Sequence, residues 1–507
     1  MSTDDLRRIF SDNVERAQSA YNGANSDKKM MTPLPTLQLF ILLYLQLAEP
    51  LTSTVVYPFV NQLVRETGVT GGDERKTGYY AGLIESSFYA TEAICVLQWG
   101  RLSDKFGRKP ILLSGLVDLI ISIVCFGLSK SYWALILSRC AEGALNGNIG
   151  VTKSMMTEIT DLTNRAQGFA YMPMIWSLGS TLGPVIGGVF AEPTKRWPSI
   201  FGKTRFWAEY PYFLPCVTIA SISTSAFLIT LLCLKERLPA SDPERSSIAD
   251  SDKQINISEH IELGSLQDSH AFNPDNEEAQ VLQERKTSKA TEDEITFRSI
   301  LIPRVLLPVI NYGFLAFTDQ AVQVLIPLMY SSQIDYGGLG FDPFAIGLIQ
   351  GAAGFVIGLL QILTFPALLR RFGPKKLYIA SYASYLLVCC AFPLLAHITN
   401  KAGAVNAWSW TIIVLQLAAY AMSCPAWGCI FMYISESAPS SATLGLTNGL
   451  AQTTASVMRA IAPSTSSSLF SASLEHNLAG GHMVYWFLCI FTIFGLLAAS
   501  QLRPHVG

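Results

Sequence analysis

Ionisable side chains stand inside otherwise apolar stretches of this chain, and they define the chemistry to look for. Glu49, Glu85, Glu92, Asp118, Arg139, Glu142, Asp319 and Arg459 are the cases. A charge in hydrocarbon is costly, so each such group needs a partner or a polar cavity. Reversible protonation of a buried carboxylate is the reaction such a set performs. Arg139 and Glu142 are three residues apart and can pair on one helix face. Glu85 and Glu92, seven apart, share a face of their own helix. Other chemistry lacks its residues. No phosphate-cradling G-x-x-x-x-G-K-[ST] loop occurs, and none of the six histidines joins a cluster, so an enzyme is not expected. The ten cysteines form no C-x-x-C pair, so no metal site and no cofactor are expected.

The elements that position these groups are membrane helices. Charged residues are 15% of the 507, against roughly a quarter in ordinary globular chains, and apolar residues are 50%. Uncharged runs of about 20 residues suffice to cross a ~30 Å hydrocarbon core as helices. A soluble enzyme, a nucleic-acid binder and a disordered scaffold are thereby excluded. Spans are expected at 37–59, 78–99, 110–129, 133–156, 167–190 and 211–234. A second set is expected at 306–330, 345–368, 377–398, 409–433, 444–472 and 483–502. The fold expected is all-α and polytopic, with twelve transmembrane helices in two six-helix bundles, 37–234 and 304–502. The rest is a polar N-terminal tail (1–36), a polar linker read as disordered (235–303) and a short C-terminal tail (503–507). Trp133, Trp408 and Trp410 lie near span ends, where indole rings anchor at the interface.

Lys and Arg fix the orientation. Arg7, Arg8, Arg16, Lys28 and Lys29 precede the first span. Arg101, Lys105, Arg108 and Lys109 follow the second, and Arg370, Arg371, Lys375 and Lys376 follow the eighth. That side, with both termini and the linker, is expected in the cytosol. The opposing cluster at Lys195, Arg196, Lys203 and Arg205 weakens this bias without reversing it.

The two halves repeat each other. Gly82-Leu83-Ile84 returns as Gly347-Leu348-Ile349, an offset of 265 (347 − 82). Lys105-Phe106-Gly107 returns as Arg371-Phe372-Gly373, an offset of 266 (371 − 105). Glu49 lies nine residues before Pro58, and Asp319 eight before Pro327. Parallel repeats of a six-helix unit indicate a transporter.

Between the second and third spans, Gly100, Asp104, Gly107, Arg108, Lys109 and Pro110 make a tight helix–helix turn. Arg108 can reach Glu158 or Asp161 beyond the fourth span. The ordered Gly-Asp-Gly-Arg-Lys-Pro pattern resembles the signature loop of the major facilitator superfamily. Arg139, Glu142-Gly143 and Gly147 resemble its second motif, with Glu142 where Gln is usual. Gly179-Ser180-Thr181-Leu182-Gly183-Pro184-Val185-Ile186-Gly187-Gly188 matches the antiporter motif of the family's drug:proton antiporters. The whole is similar to fungal twelve-span members of that class and to zinc-induced-facilitator-like proteins. In the second half Pro366 and Arg370 replace the signature Gly and Asp. The resemblance implies proton coupling through Arg139, a gating role for the loop, and a cavity lined by Glu49 and Asp319. Glycines 179, 183 and 187 suit close helix approach whatever the function. Trp176 and Trp427 either pack or contact an apolar ligand.

The reading is a proton-coupled antiporter that exports a small molecule by alternating access, in the plasma or vacuolar membrane. Its partners are substrate, protons and the bilayer; it is expected to be a monomer and not to bind nucleic acid. Rivals are a proton-coupled importer and a membrane sensor signalling through the linker. The orientation is directly testable. An epitope at about residue 265 should be reachable only after the cytosolic side is opened, and labelling of intact cells would overturn it.

Overall fold

The structure, a computed structural model, describes residues 32–160, 164–235, 301–439 and 443–502. The expectations for both tails and for most of the linker lie outside the described residues. Helix dominates, and there is no strand among the described residues. Lipid leaves the backbone no other way to satisfy its own polar groups.

The first segment is Thr36–Thr54 followed by Val60–Glu66. The second is Thr77–Phe106 and the third Arg108–Leu128. The fourth is Tyr132–Leu145 continued by Asn148–Ile159, the fifth Arg165–Phe190 and the sixth Phe213–Cys233. In the second half the seventh is Pro303–Ser331. The eighth and ninth form Pro343–Ala402, bent at Gly373. The tenth is Ala407–Ser423 continued by Pro425–Ser437, the eleventh Leu444–Glu475 and the twelfth Met483–Ser500. Among the described residues, seven helices are long and apolar enough to cross a membrane by length and composition alone. The whole arrangement accords with twelve crossings.

The first span departs from its expected form. Residues 55–59 leave the helix, because Pro58 removes a backbone donor and clashes with the preceding turn. Segments four and ten are likewise interrupted, at Asn146-Gly147 and at Cys424.

The repeat is visible in backbone angles. Gly107 (φ 97°, ψ 161°) ends segment two and starts segment three. Gly373 (φ 72°, ψ 163°) does the same for segments eight and nine. Both sit at positive φ, which a β-carbon disfavours. One residue thus turns the chain from one crossing into the next.

The two ends of the first half meet on one side, and in the second half the turn between segments eight and nine meets the end of segment twelve. This side is termed inner, after its expected cytosolic orientation. Gln38 Nε2 donates to the Cys233 carbonyl at 3.1 Å, and the Lys235 N–H donates to Gln38 Oε1 at 3.0 Å. Lys375 Nζ donates to the Ser500 carbonyl at 2.7 Å.

At the opposite, outer side the two bundles meet. Arg65 Nη2 donates to the Ser331 carbonyl at 3.3 Å, and Gln333 Nε2 to Glu74 Oε1 at 3.0 Å. Arg196 stacks 3.5 Å over the Phe344 ring and lies 3.9 Å from Asp342. Small residues permit the approach. A β-carbon at Gly82 would stand 2.6 Å from the Pro463 carbonyl oxygen, and one at Gly188 would strike the Pro343 carbonyl and the Gly347 backbone. Toward the inner side Gly150 and Gly449 face open space.

The antiporter motif uses two faces. β-Carbons at Gly179, Gly183 and Gly187 would collide with Pro50, Thr54 and Val55 of segment one, so that face packs within its own bundle. Gly188 faces segment eight of the other bundle. Overpacking a tight site costs about 1–3 kcal/mol. Gly347→Val should therefore lower the thermal unfolding midpoint of the purified protein, while Gly449→Ala should leave it unchanged. Equal midpoints for the two variants would contradict this packing.

Candidate functional site

The two mirrored acids each sit against a broken helix of their own bundle. Glu49 is buried in segment one beside Asn146, and Asn146 stands at the break of segment four. Asp319 is buried in segment seven within reach of Cys424, which stands at the break of segment ten. Breaks near the midplane supply free backbone groups to an ion or substrate. At the first break, Trp99 Nε1 donates to the Ala144 carbonyl at 2.8 Å, and the Trp99 side chain crowds Gly147.

The surroundings of the two acids differ. Asp319 accepts hydrogen bonds from Tyr385 Oη at 2.7 Å, Tyr420 Oη at 3.0 Å and Gln323 Nε2 at 2.7 Å. Three donors hold it in one orientation. Glu49 instead has charged neighbours on other segments: Glu92, Glu142 and Lys153.

Arg139 organises the rest of the N-terminal bundle. Its Nη1 donates to Glu142 Oε2 at 2.7 Å, the pair expected from their spacing. Its Nη2 lies 3.9 Å from Glu85 Oε2. The guanidinium also lies 5.0 Å from the Phe126 ring and 5.9 Å from Phe88. The arginine therefore pairs with Glu142 and Glu85, and not with Glu49 or Asp319. Asp118 turns into this bundle, accepting from Ser122 Oγ at 2.9 Å within reach of Glu142.

Arg459, in segment eleven, lies between the halves. It sits 5.3 Å from the Trp427 ring and within reach of Glu92, Asp319, Tyr89 and Tyr312. Trp427 also meets Tyr312 edge-on at 5.7 Å, so its ring serves packing and the cation together. Trp176 is half-buried in segment five, one turn before Ser180, whose hydroxyl donates to its carbonyl.

Lys153 is a member that sequence reasoning missed. It is exposed in the second half of segment four and lies within reach of Glu49, Glu92 and Arg459. Its signal was available, since it is a lysine inside the expected fourth span. With it, cations and carboxylates from both halves of the molecule lie within reach of one another, and the space they share between the bundles is called the cleft.

At the inner end, Arg108 Nε donates to Glu158 Oε1 at 2.9 Å and its Nη1 to Ser103 Oγ at 2.6 Å. Both partners belong to the N-terminal bundle. Lys109 is half-buried beside this turn. Gly100 lies in the last turns of segment two, while the Asp104 side chain and Asp161 lie outside the described residues.

Chemically, the arrangement can bind a polar or charged small molecule in the cleft and hold or release protons on buried carboxylates. Among the described residues no group of three or more His, Cys, Asp or Glu side chains could hold a metal ion.

The chain is similar to known transporters over most of its length. Residues 42–463 match the family model described as Major Facilitator Superfamily. Major facilitator-type transporter psiT2 of Psilocybe cyanescens is 30% identical over 92% of this chain and 89% of its own length. The multidrug transporter mfsB of Aspergillus fumigatus is 27% identical over 90% of this chain and 81% of its own. Protein ZINC INDUCED FACILITATOR-LIKE 1 of Arabidopsis thaliana is 25% identical over 93% and 92% respectively.

The pairing of Arg139 makes a thermodynamic prediction. Removing one partner of a buried ion pair leaves an uncompensated charge and costs about 3–5 kcal/mol. Arg139→Ala should sharply reduce folded yield and thermal stability. Adding Glu142→Gln should restore part of the loss. A double variant no more stable than Arg139→Ala would contradict the pairing.

Proposed function

The chain belongs to the major facilitator superfamily, and we propose that it works as a proton-coupled antiporter exporting a small molecule by alternating access. One observation carries this reading: mirrored acids, Glu49 and Asp319, each face the broken fourth helix of their own six-helix unit. A dry, buried carboxylate favours the neutral form, and water or a nearby cation favours the ion. A switch of access from one side to the other changes that balance, so the acid loads a proton on one side and releases it on the other. Arg139 and Glu142 complete the coupling set, and Arg459 and Lys153 offer cationic sites for an anionic or polar group of the substrate. Glu92 and Trp427 share that cleft.

The full antiporter motif in segment five favours export over import. The name of the A. fumigatus relative, a multidrug transporter, points the same way. In the proposed cycle the closed outer end is one state. In the opposite state Asp104 and Arg108 tie the inner ends of the bundles together. Both tails and the linker face the cytosol, and the host membrane is the plasma or vacuolar membrane.

Flux in proteoliposomes tests the reading, with substrates chosen by screening a deletion strain against toxic compounds. Wild-type protein should concentrate substrate when a pH gradient is imposed. Asp319→Asn and Glu49→Gln should abolish that accumulation and spare downhill exchange. Asp104→Asn should cut all flux at normal expression. Gradient-driven accumulation by Asp319→Asn would remove that residue as the proton carrier.

A further inference from the structure

Tyr57 stands in the non-helical turn that interrupts segment one. Its hydroxyl donates to Glu85 Oε1 of segment two at 2.8 Å and accepts from Gln320 Nε2 of segment seven at 3.3 Å. Tyr57, Glu85 and Gln320 are all buried. Glu85 in turn faces Arg139, which holds Glu142. A polar chain thus runs from the C-terminal bundle, one residue past Asp319, through a hinge tyrosine to the buried arginine. Among the described residues, Nε and Nη2 of Arg139 have no hydrogen-bond partner although the side chain is buried. The guanidinium therefore depends on the charge of its carboxylates. The next residue along segment two also bridges the bundles: Ser86 Oγ accepts the Ser464 N–H at 2.9 Å, just past Pro463. Glu85 and Ser86 mark the place where the buried charge network meets the outer closure.

We propose that Tyr57 and Gln320 are positioning residues that tie the charge state of Glu85 to closure of the outer end. The inference rests on the proton-coupled reading above and extends it to a second acid. A tyrosine hydroxyl donating to a carboxylate makes a charge-assisted bond, shorter and stronger than a neutral one. While Glu85 is ionised, Tyr57 is held with its oxygen lone pairs toward Gln320, and Gln320 draws segment seven onto segment one. Once Glu85 takes a proton, the bond from Tyr57 weakens, the tyrosine is free to turn, and the grip on Gln320 is lost. Ionised Glu85 thus keeps the outer end shut, and its protonation lets that end open. The charged and titratable groups facing Glu85 are Tyr57 of segment one, Tyr89 of its own segment, and Arg139 and Glu142 of segment four. Tyr57 joins this group to the other bundle through its hydrogen bond with Gln320. An empty carrier with ionised Glu85 would then be locked against slipping outward, and a loaded one opens when cargo moves a proton from a neighbouring buried acid onto Glu85, so that no net proton leaves with it.

Hydrogen exchange of the full-length protein in lipid nanodiscs tests this without any substrate. Exchange is followed at the outer loops, residues 65–78 and 331–343, at pH 5.5 and pH 8, after correction for intrinsic rates. Wild type should show greater protection at pH 8, by roughly tenfold for a charge-assisted bond gained or lost. Tyr57→Phe should shrink that ratio below about twofold, as should Gln320→Leu, which removes the same contact from the other bundle. Glu85→Gln should fix the loops at the low-pH level at both pH values. Tyr44→Phe, which loses only a bond to Ser225 within the N-terminal bundle, should keep the wild-type ratio. A wild-type ratio near one overturns the inference, and so does a full ratio in either Tyr57→Phe or Gln320→Leu. Should Tyr57→Phe fail to fold, Gln320→Leu decides. The transport reading stands or falls separately, on gradient-driven flux by the wild-type protein.

Discussion

A buried guanidinium must be neutralised where it lies, and Arg139 imposes that requirement on the N-terminal bundle. Its charge cannot be left in an apolar setting, and no solvent reaches it. Segment four supplies Glu142 one turn away, and segment two supplies Glu85 from across the bundle. Two carboxylates around one cation leave a negative excess, which Tyr57 moderates by donating to Glu85. These four groups join segments one, two and four. Anything that changes one charge, a proton above all, must be felt by all three segments.

The C-terminal bundle meets the equivalent problem with neutral donors. Asp319 has two tyrosines and a glutamine, each giving one hydrogen bond. Its nearest cation, Arg459, belongs to the cleft and stacks near Trp427. The halves are therefore alike in backbone and unlike in electrostatics. The proton coupling proposed above has use for such a division.

Much of the fold was legible in the sequence. Hydropathy marked the segments, and glycine and proline marked the turns, because lipid leaves helix as the only answer for long apolar runs. The Arg139–Glu142 pair followed from spacing, and Glu158 was one of the two partners expected for Arg108. The interruption at Pro58 was signalled by the proline and still read as continuous helix. The break at Asn146-Gly147 was harder to see, since neither residue type forbids a helix on its own, whereas Pro425 beside the break at Cys424 was a signal left unread. The partnership of Glu85 with Tyr57 and Gln320 could not be read at all. It joins three segments through side chains 28 and 263 residues apart, and only packing decides such a meeting.

The single-glycine turns at Gly107 and Gly373 have a mechanical meaning. With one residue between helices there is no slack, so a tilt of segment two carries segment three with it, and eight likewise carries nine. Segments three and nine present Ile121, Val117, Leu387 and Leu394 outward, where acyl chains surround them. In the alternating-access cycle proposed above, motion between the bundles would thereby reach the lipid-facing shell, and part of the work of switching would be done against the bilayer. Membrane thickness and lateral pressure would then become inputs to that cycle, acting through two glycines.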